Sequence, residues 1–330
     1  MTPPFSEDAV LARLARHFPN SHDSVLFGRG DDAAVIAAGG PLCVSSDLFL
    51  ENVHFRRSYF APEEIGHKAL AVNISDMAAC GAKPLGFTLC LGLPPFTGMA
   101  WLDAFFSGMA ALAKQCDCAL AGGDLAACEQ ICIAVTIWGE SAANGLMLRR
   151  DGCRPGDVLF VAGMLGLARV GLRVLEKQGR EAARFWPDAC AAHLRPLPLT
   201  QAGLAIAGLA DAVRPPAVMD ISDGIARDLP RLLQGQGSTR KLGAALHLPQ
   251  EALHPEVRRF AAEQGRDPVT EALLGGEDYA LLGACEPASF AKIQKAVHGL
   301  APIGVVMERP EITANGKPFK ATGFDHFAAD

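Results

Sequence analysis

Pro62-Glu63-Glu64-Ile65-Gly66-His67-Lys68-Ala69-Leu70-Ala71-Val72-Asn73-Ile74-Ser75-Asp76-Met77-Ala78-Ala79, continued by Cys80-Gly81-Ala82-Lys83-Pro84 and Leu85-Gly86-Phe87-Thr88-Leu89-Cys90-Leu91-Gly92-Leu93, decides the fold class of this chain. Pro62 followed by two glutamates is a helix start, and Gly81 and Pro84 are stop signals, so a helix is predicted over 62–79. Ile65, Ala69 and Val72 mark one face of that helix, while Leu70, Ile74 and Met77 make the opposite face apolar too. It is therefore expected to be buried all round. The apolar run 85–93 then reads as a buried strand, and a buried helix feeding a buried strand indicates α/β architecture.

The same punctuation extends outward. Ser6 can cap a helix that carries Glu7 and Asp8 in its first turn and Val10, Leu11, Leu14 and Phe18 along one stripe. Strands are predicted over 33–38 and 42–46 around the turn signal Gly39-Gly40-Pro41, a helix over 98–114 and a strand over 131–139. After Glu140 the texture becomes polar and turn-rich, ending in Arg149-Arg150-Asp151-Gly152-Cys153-Arg154-Pro155-Gly156-Asp157. A domain boundary is placed there, giving domains 1–145 and 146–330. The second half mixes strands (158–162, 217–220, 244–248, 302–306) with helices (165–177, 200–210, 287–297). The fold class is α/β for the first domain and α+β for the second, with the strand order not readable from the pattern.

Composition narrows the function. The chain has 330 residues, half of them hydrophobic and a fifth charged, which suits two globular domains. Subtracting 36 acidic from 30 basic residues leaves −6, which excludes a general affinity for nucleic acid. The start lacks a basic segment followed by an apolar core, and the apolar region 85–102 is cut by Pro94 and Pro95. No membrane association is expected, and a cytoplasmic location is. The ten cysteines lack a CxxC pair and zinc-knuckle spacing, so reduced thiols are expected.

The informative residues are acidic ones in otherwise apolar or glycine-rich surroundings. Asp31 and Asp32 follow Gly28-Arg29-Gly30, and Asp47 follows Ser45-Ser46 at the end of an expected strand. Asp124 follows Gly122-Gly123, while Asp220 and Asp223 flank Ile221-Ser222. Asp76 lies about 20° around its helix from Ile65, on a surface expected to be buried. A buried carboxylate must be protonated, paired or bound to a cation. Each aspartate alone could be a cap or turn residue, but together with serine hydroxyls they form a hard oxygen donor set suited to Mg²⁺ or Mn²⁺. That suggests phosphate chemistry. No Gly-x-x-x-x-Gly-Lys-[Ser/Thr], protein-kinase or Gly-x-Ser-x-Gly motif is present.

The ordered set Gly30-Asp31-Asp32-Ala33-Ala34, Ser45-Ser46-Asp47 with Val53-His54-Phe55, the 68–76 segment, Gly122-Gly123-Asp124, Asp220-Ile221-Ser222-Asp223-Gly224, Gly275-Gly276-Glu277-Asp278-Tyr279 and the closing Gly323-Phe324-Asp325-His326-Phe327 resembles the thiamine-monophosphate kinases. These belong to the aminoimidazole-ribonucleotide synthetase-like superfamily. The resemblance implies a two-domain fold of that type, a homodimer whose N-terminal strands pair between subunits, ATP bound between the domains, and γ-phosphoryl transfer to thiamine monophosphate. By position it implies that Asp32, Ser45, Ser46, Asp47, Asp76, Asp124, Asp220 and Asp223 hold several Mg²⁺ ions. Gly123, Asp124, Arg150 and Ser222 are implied to contact ATP, and His54, Glu277 and Phe324 to face thiamine monophosphate.

The expectation is physically coherent. Donor and acceptor phosphates repel, the motifs contain few basic residues, and metal ions would carry most of the compensating charge. No general base is assigned, because the acceptor phosphate is already largely ionised near neutral pH. Three departures from the family pattern stand out: Leu125-Ala126-Ala127 replaces hydroxyl residues, Ala280 replaces a common glutamate, and Pro230 is expected to shorten or kink its helix. Another ATP-dependent superfamily member, or a nucleotide-binding regulatory protein, are the competing readings.

Overall fold

The computed structural model describes residues 6–19, 22–29, 33–142, 144–235 and 241–320. Asp31, Asp32 and the closing segment with Phe324 lie outside the described residues. The chain divides into two compact units, Met1–Met77 with Lys83–Ser141 and Ala78–Ala82 with Ala142–Asp330.

The first part of the chain forms α1 (Glu7–His17), β1 (Val25–Phe27), β2 (Val35–Ile36), β3 (Leu42–Leu50), α2 (Pro62–Ala79), β4 (Ala82–Leu93), α3 (Met99–Gln115), β5 (Ala119–Ala127) and β6 (Cys132–Ser141). Ser6 accepts the Ala9 N–H and so caps α1, as its sequence predicts. The main sheet runs β3-β6-β4-β5, with β3 antiparallel to β6 and β4 parallel to β5. Alternation along these strands sends Phe87, Leu89, Leu91, Ile133, Val135 and Ile137 into the core. Val44, Leu48 and Cys90 point to an exposed face. α2 is enclosed nearly all round, with the polar His67, Lys68, Asn73 and Ser75 buried as well as its apolar residues, and α3 lies against it with backbones touching: a Cβ on Gly66 would sit 2.0 Å from the Phe105 carbonyl oxygen, and one on Gly108 1.9 Å from that of Glu63.

Several strand limits differ from the sequence prediction. Strand β4 starts at Ala82 and includes Pro84, which is tolerated because pairing with β5 begins only at Gly86. β3 continues to Leu50 and β5 to Ala127, so Asp47 and Asp124 lie within strands rather than at their ends. Only Val35–Ile36 of the expected strand 33–38 pairs. β5 also carries a bulge: its register passes from Phe87↔Leu120 to Thr88↔Gly122, leaving Ala121 as the extra residue.

The second unit contains β7 (Val158–Ala162), α4 (Leu167–Gln178), α5 (Pro187–Leu194), α6 (Thr200–Leu209), β8 (Ala217–Asp220), α7 (Ile225–Gln234), β9 (Gly243–Leu246), α8 (Pro255–Glu263), α9 (Pro268–Leu273), β10 (Leu281–Cys285), α10 (Pro287–Ala296), β11 (Leu300–Met307), β12 (Ile312–Ala314) and β13 (Lys317–Pro318). Its sheet has the order β13-β12-β9-β11-β7-β10-β8, antiparallel except between β12 and β9. Phe160, Ile206, Leu281, Ile293 and Leu300 build one core cluster. Pro230 lies inside α7 without ending it: the helix runs on to Gln234. The proline is exposed while Leu229, Leu232 and Leu233 are buried, so packing of the apolar face holds the helix together across the missing N–H.

Candidate functional site

In the first unit the β3–β6 register sorts the acidic and hydroxyl residues by face. Ser45 pairs with Ile137 and Asp47 with Val135, so both face the helices. There the Ser45 hydroxyl donates to Oδ2 of Asp76 at 2.5 Å. Asp76 is half-buried rather than buried, because it looks out beside Ser45 from an otherwise enclosed helix. Burial, followed by the negative charge of Asp76, pushes the Asp47 carboxyl up to about 6. Two carboxylates and a hydroxyl are thus held in one half-buried place.

Ser46 faces the other way, with Oγ 2.9 Å from Oγ1 of Thr136. Asp124 pairs with the exposed Cys90 and shares that outer face, so Ser46 and Asp124 are not brought to the Asp47–Asp76 pair. Gly123, next to Asp124, has φ +152° and lies against β4: an added Cβ would fall 1.8 Å from the Leu89 carbonyl oxygen. His54 follows β3 by a short turn, and its Nδ1 accepts the Leu50 N–H at 3.0 Å. That bond places the proton of a neutral imidazole on Nε2, making it a donor.

The metal-free protein carries an electrostatic cost at this pair. The Asp47 carboxyl binds its proton more tightly when folded (pKa about 6) than in an unfolded chain (~3.9). This group's contribution to stability is therefore fully present below about pH 4 and declines as the pH rises through about 6. In chelator-treated protein, Asp47→Asn should raise the thermal midpoint at pH 7.5 and have little effect at pH 4.5. Equal effects at both pH values would show that repulsion at this pair does not matter.

In the second unit the loop after β8 and the Gly275–Ala280 segment are tied together. Glu277 N–H donates to the Ser222 carbonyl at 2.7 Å, Tyr279 N–H to that of Ile221 at 2.9 Å, and Ile221 N–H to that of Ala280 at 2.8 Å. Close approach demands small residues here. A Cβ on Gly275 would meet the Gly166 Cα at 2.5 Å, and one on Gly276 the Ser222 carbonyl oxygen at 2.9 Å. Glu277 and Tyr279 adopt φ +62° and +47°, a conformation that costs non-glycine residues on the order of 1–3 kcal/mol and persists only where neighbours enforce it.

Asp220 ends β8 and is buried, whereas Ser222 and Asp223 are half-buried. The Asp223 carboxylate accepts from Arg231 at 2.8 Å, with Arg227 at 3.7 Å. A cation at Asp223 would share it with those guanidinium groups. Arg150 is exposed beside the start of β8, since Arg149 bridges Ala217, while Ser222 follows the end of that strand. The two are separated by about 13 Å of extended chain. Neighbouring Arg149 is engaged by Asp151 at 3.1 Å. Among the described residues no group of three or more His, Cys, Asp or Glu side chains is arranged to hold a metal ion.

Comparison with known proteins assigns the family. The AIR synthase related protein N-terminal domain model matches residues 30–141. The thiamine-monophosphate kinase of Mycobacterium tuberculosis (strain CDC 1551 / Oshkosh) is 35% identical over 313 residues, covering 93% of this chain and 89% of that protein. The chain belongs to the thiamine-monophosphate kinase family. Its Aquifex aeolicus relative is 32% identical, with 90% and 92% covered. The crystal structure of the Aquifex aeolicus thiamine monophosphate kinase superposes with a TM-score of 0.75 at 28% identity, covering 96% of this chain and 98% of the other. AaThiL complexed with AMPPCP and TMP gives 0.75 and 28%, with 97% of each chain covered. The two-domain aminoimidazole-ribonucleotide synthetase-like fold is thereby established.

Within this kinase fold, the structure adds residues the motifs did not single out. Asp278 is half-buried in the loop and accepts the N–H groups of Gly166, at 2.5 Å, and Ala168, at 3.1 Å, capping α4. Burial pushes its carboxyl up to about 8, against the pull of those backbone donors. Asp228, buried on α7, accepts the Asp223 N–H at 2.9 Å and Arg231 Nη1 at 2.9 Å, so it shapes the loop that presents Ser222 and Asp223. Burial raises it to about 6.

Proposed function

We propose that this protein phosphorylates thiamine monophosphate to thiamine diphosphate, taking the γ-phosphoryl group of ATP by direct in-line transfer with several Mg²⁺ ions bound. The observation that supports this reading most is the AaThiL structure, which matches 97% of this chain and carries AMPPCP and TMP together. The local chemistry agrees. Ser45, Asp47 and Asp76 offer only oxygen donors, and the raised Asp47 pKa marks a place where a divalent cation would relieve repulsion. Bound there, Mg²⁺ would offset phosphate charge and orient the transferring group.

The remaining roles rest on the resemblance of the motifs to those of the family. Asp220 and Asp223 are assigned to further ions, with Asp32 also a proposed ligand. Ser46 and Asp124, on the outer face of the sheet, would serve an ion separate from that at Asp47. Gly123, Asp124, Arg150 and Ser222 are assigned to ATP, with Arg227 and Arg231 adding positive charge beside Ser222. His54 can donate from Nε2, and Glu277 can balance the positive thiazolium or accept from the aminopyrimidine. Phe324 is assigned a stacking role. The acceptor phosphate oxygen attacks as an anion, so the protein's task is alignment and charge compensation.

The reading includes a homodimer whose N-terminal strands pair between subunits; Val44 and Leu48 on β3 are 63% and 58% exposed. It also includes a cytoplasmic location; among the described residues no helix is long and apolar enough to cross a membrane. Purified protein incubated with ATP, Mg²⁺ and thiamine monophosphate should yield thiamine diphosphate and ADP. Failure on this acceptor with turnover of another would overturn the assignment. Glu277→Ala should raise KM for thiamine monophosphate and leave KM for ATP within about two-fold; equal weakening of both would remove Glu277 from the acceptor site.

A further inference from the structure

The side chain of Glu277 has an anchor deep in the second unit. His193, near the end of α5, is 1% exposed, and its Nδ1 lies 3.1 Å from Oε2 of Glu277. The Glu277 side chain remains 24% exposed, so the group is held at its buried end while still reaching the surface. α5 is itself fixed at both ends. Oε2 of buried Glu256 accepts the Ala189 N–H at 2.8 Å, and α4 packs so closely that a Cβ on Gly171 would sit 2.0 Å from the Ala189 carbonyl oxygen and 2.9 Å from the His193 Cβ. The residue after Glu277, Asp278, caps α4. Glu277 is thus bracketed by the α4–α5 pair, with its backbone in the left-handed region and its N–H on Ser222.

A contact between a buried imidazole nitrogen and a carboxylate oxygen fixes the direction in which the carboxylate points, which suits it to enforcing one conformation. We propose that His193 is a positioning residue for Glu277, holding its carboxylate in the orientation that receives the thiamine moiety and thereby setting acceptor affinity without touching substrate. The proposal rests on the assignment of Glu277 to the acceptor site.

Steady-state kinetics with each substrate varied, on His193→Ala, His193→Asn, Glu277→Gln and the double variant His193→Ala/Glu277→Gln, test it. His193→Ala should raise KM for thiamine monophosphate about ten-fold, the size expected for losing a hydrogen bond to a charged group, with KM for ATP within about two-fold. His193→Asn keeps a short donor near the Nδ1 position and should restore most of that loss. If the alanine variant does not fold, the asparagine variant carries the test, with a smaller shift in acceptor KM alone. The double variant should be no worse than Glu277→Gln, because both changes remove the same constraint. Multiplying effects, equal shifts in both KM values, or unchanged acceptor KM in a folded His193 variant would overturn the positioning role. Unchanged acceptor KM in Glu277→Gln would instead overturn the assignment on which it stands.

Discussion

Asp76→Asn should fold like the parent and lose on the order of 10²–10³ in kcat, comparable to removing a principal electrostatic stabiliser of a transition state. The amide keeps the size of the carboxylate and can still accept from Ser45, whose hydroxyl lies 2.5 Å from Oδ2, so packing of α2 against the sheet is preserved. What disappears is a negative charge at the place where Asp47 and Asp76 together would hold a divalent cation. Removing that charge also relieves Asp47, so the variant should titrate with an Asp47 pKa closer to the usual carboxylate range. Circular dichroism, thermal unfolding and kinetics at saturating substrates check these points. A folded Asp76→Asn with near-normal kcat would refute the metal role, whereas loss of fold would move Asp76 from chemistry to structure.

Gly123→Ala should be the most damaging single-methyl change in the first unit's sheet. The added carbon would lie 1.8 Å from the Leu89 carbonyl oxygen and 2.6 Å from its carbon, backbone atoms of a core strand that cannot swing away. Among the described residues β5 pairs with β4 alone, at the sheet edge, so the clash is relieved by peeling β5 outward. We expect a loss of roughly 3 kcal/mol, the upper part of the range for overpacking, together with loss of activity because Asp124 moves too. Gly122→Ala supplies the control: nothing lies within 4 Å of its added Cβ, and that variant should melt and turn over like the parent. Equal melting of the two variants would show that the close approach does not restrain the strand.

How far each feature could be read in advance depended on whether its cause was local. The α2 limits follow from Pro62 and the glutamates behind it, and Ser6 caps α1 as its spacing indicates. That Ser45, Asp47 and Asp76 stand apart was also legible, because polar oxygen-bearing residues in apolar segments are a compositional signal. Their sorting by face was not: it depends on the β3–β6 register and on the β5 bulge, both set by pairing partners distant in sequence. The role of Asp278 was not legible because α4, the helix it caps, lies 110 to 112 positions away. His193 sits in an alanine-rich helix with no motif around it. Arg227 and Arg231 could have been found, since they follow Asp223 at i+4 and i+8, spacings that stack on one side of a helix. Pro230 lies inside α7 without ending it, because an exposed position on an amphipathic helix tolerates a missing N–H that an isolated segment would not.

The extra residue at Ala121 acts on β5 much as a frameshift acts on a message. Side chains on a strand are written with a period of two, and inserting one residue inverts the facing of everything downstream. Without the bulge, Asp124 would project toward the helices and a neighbour would take its place beside Cys90. The facing of that carboxylate is therefore set by the bulge that absorbs Ala121 three residues upstream. Losing Ala121 would leave Gly122 opposite Thr88 and Asp124 opposite Cys90, whereas losing Gly123 would bring Asp124 opposite Leu89 and turn it inward, an error that no conservative substitution at Asp124 could imitate or repair.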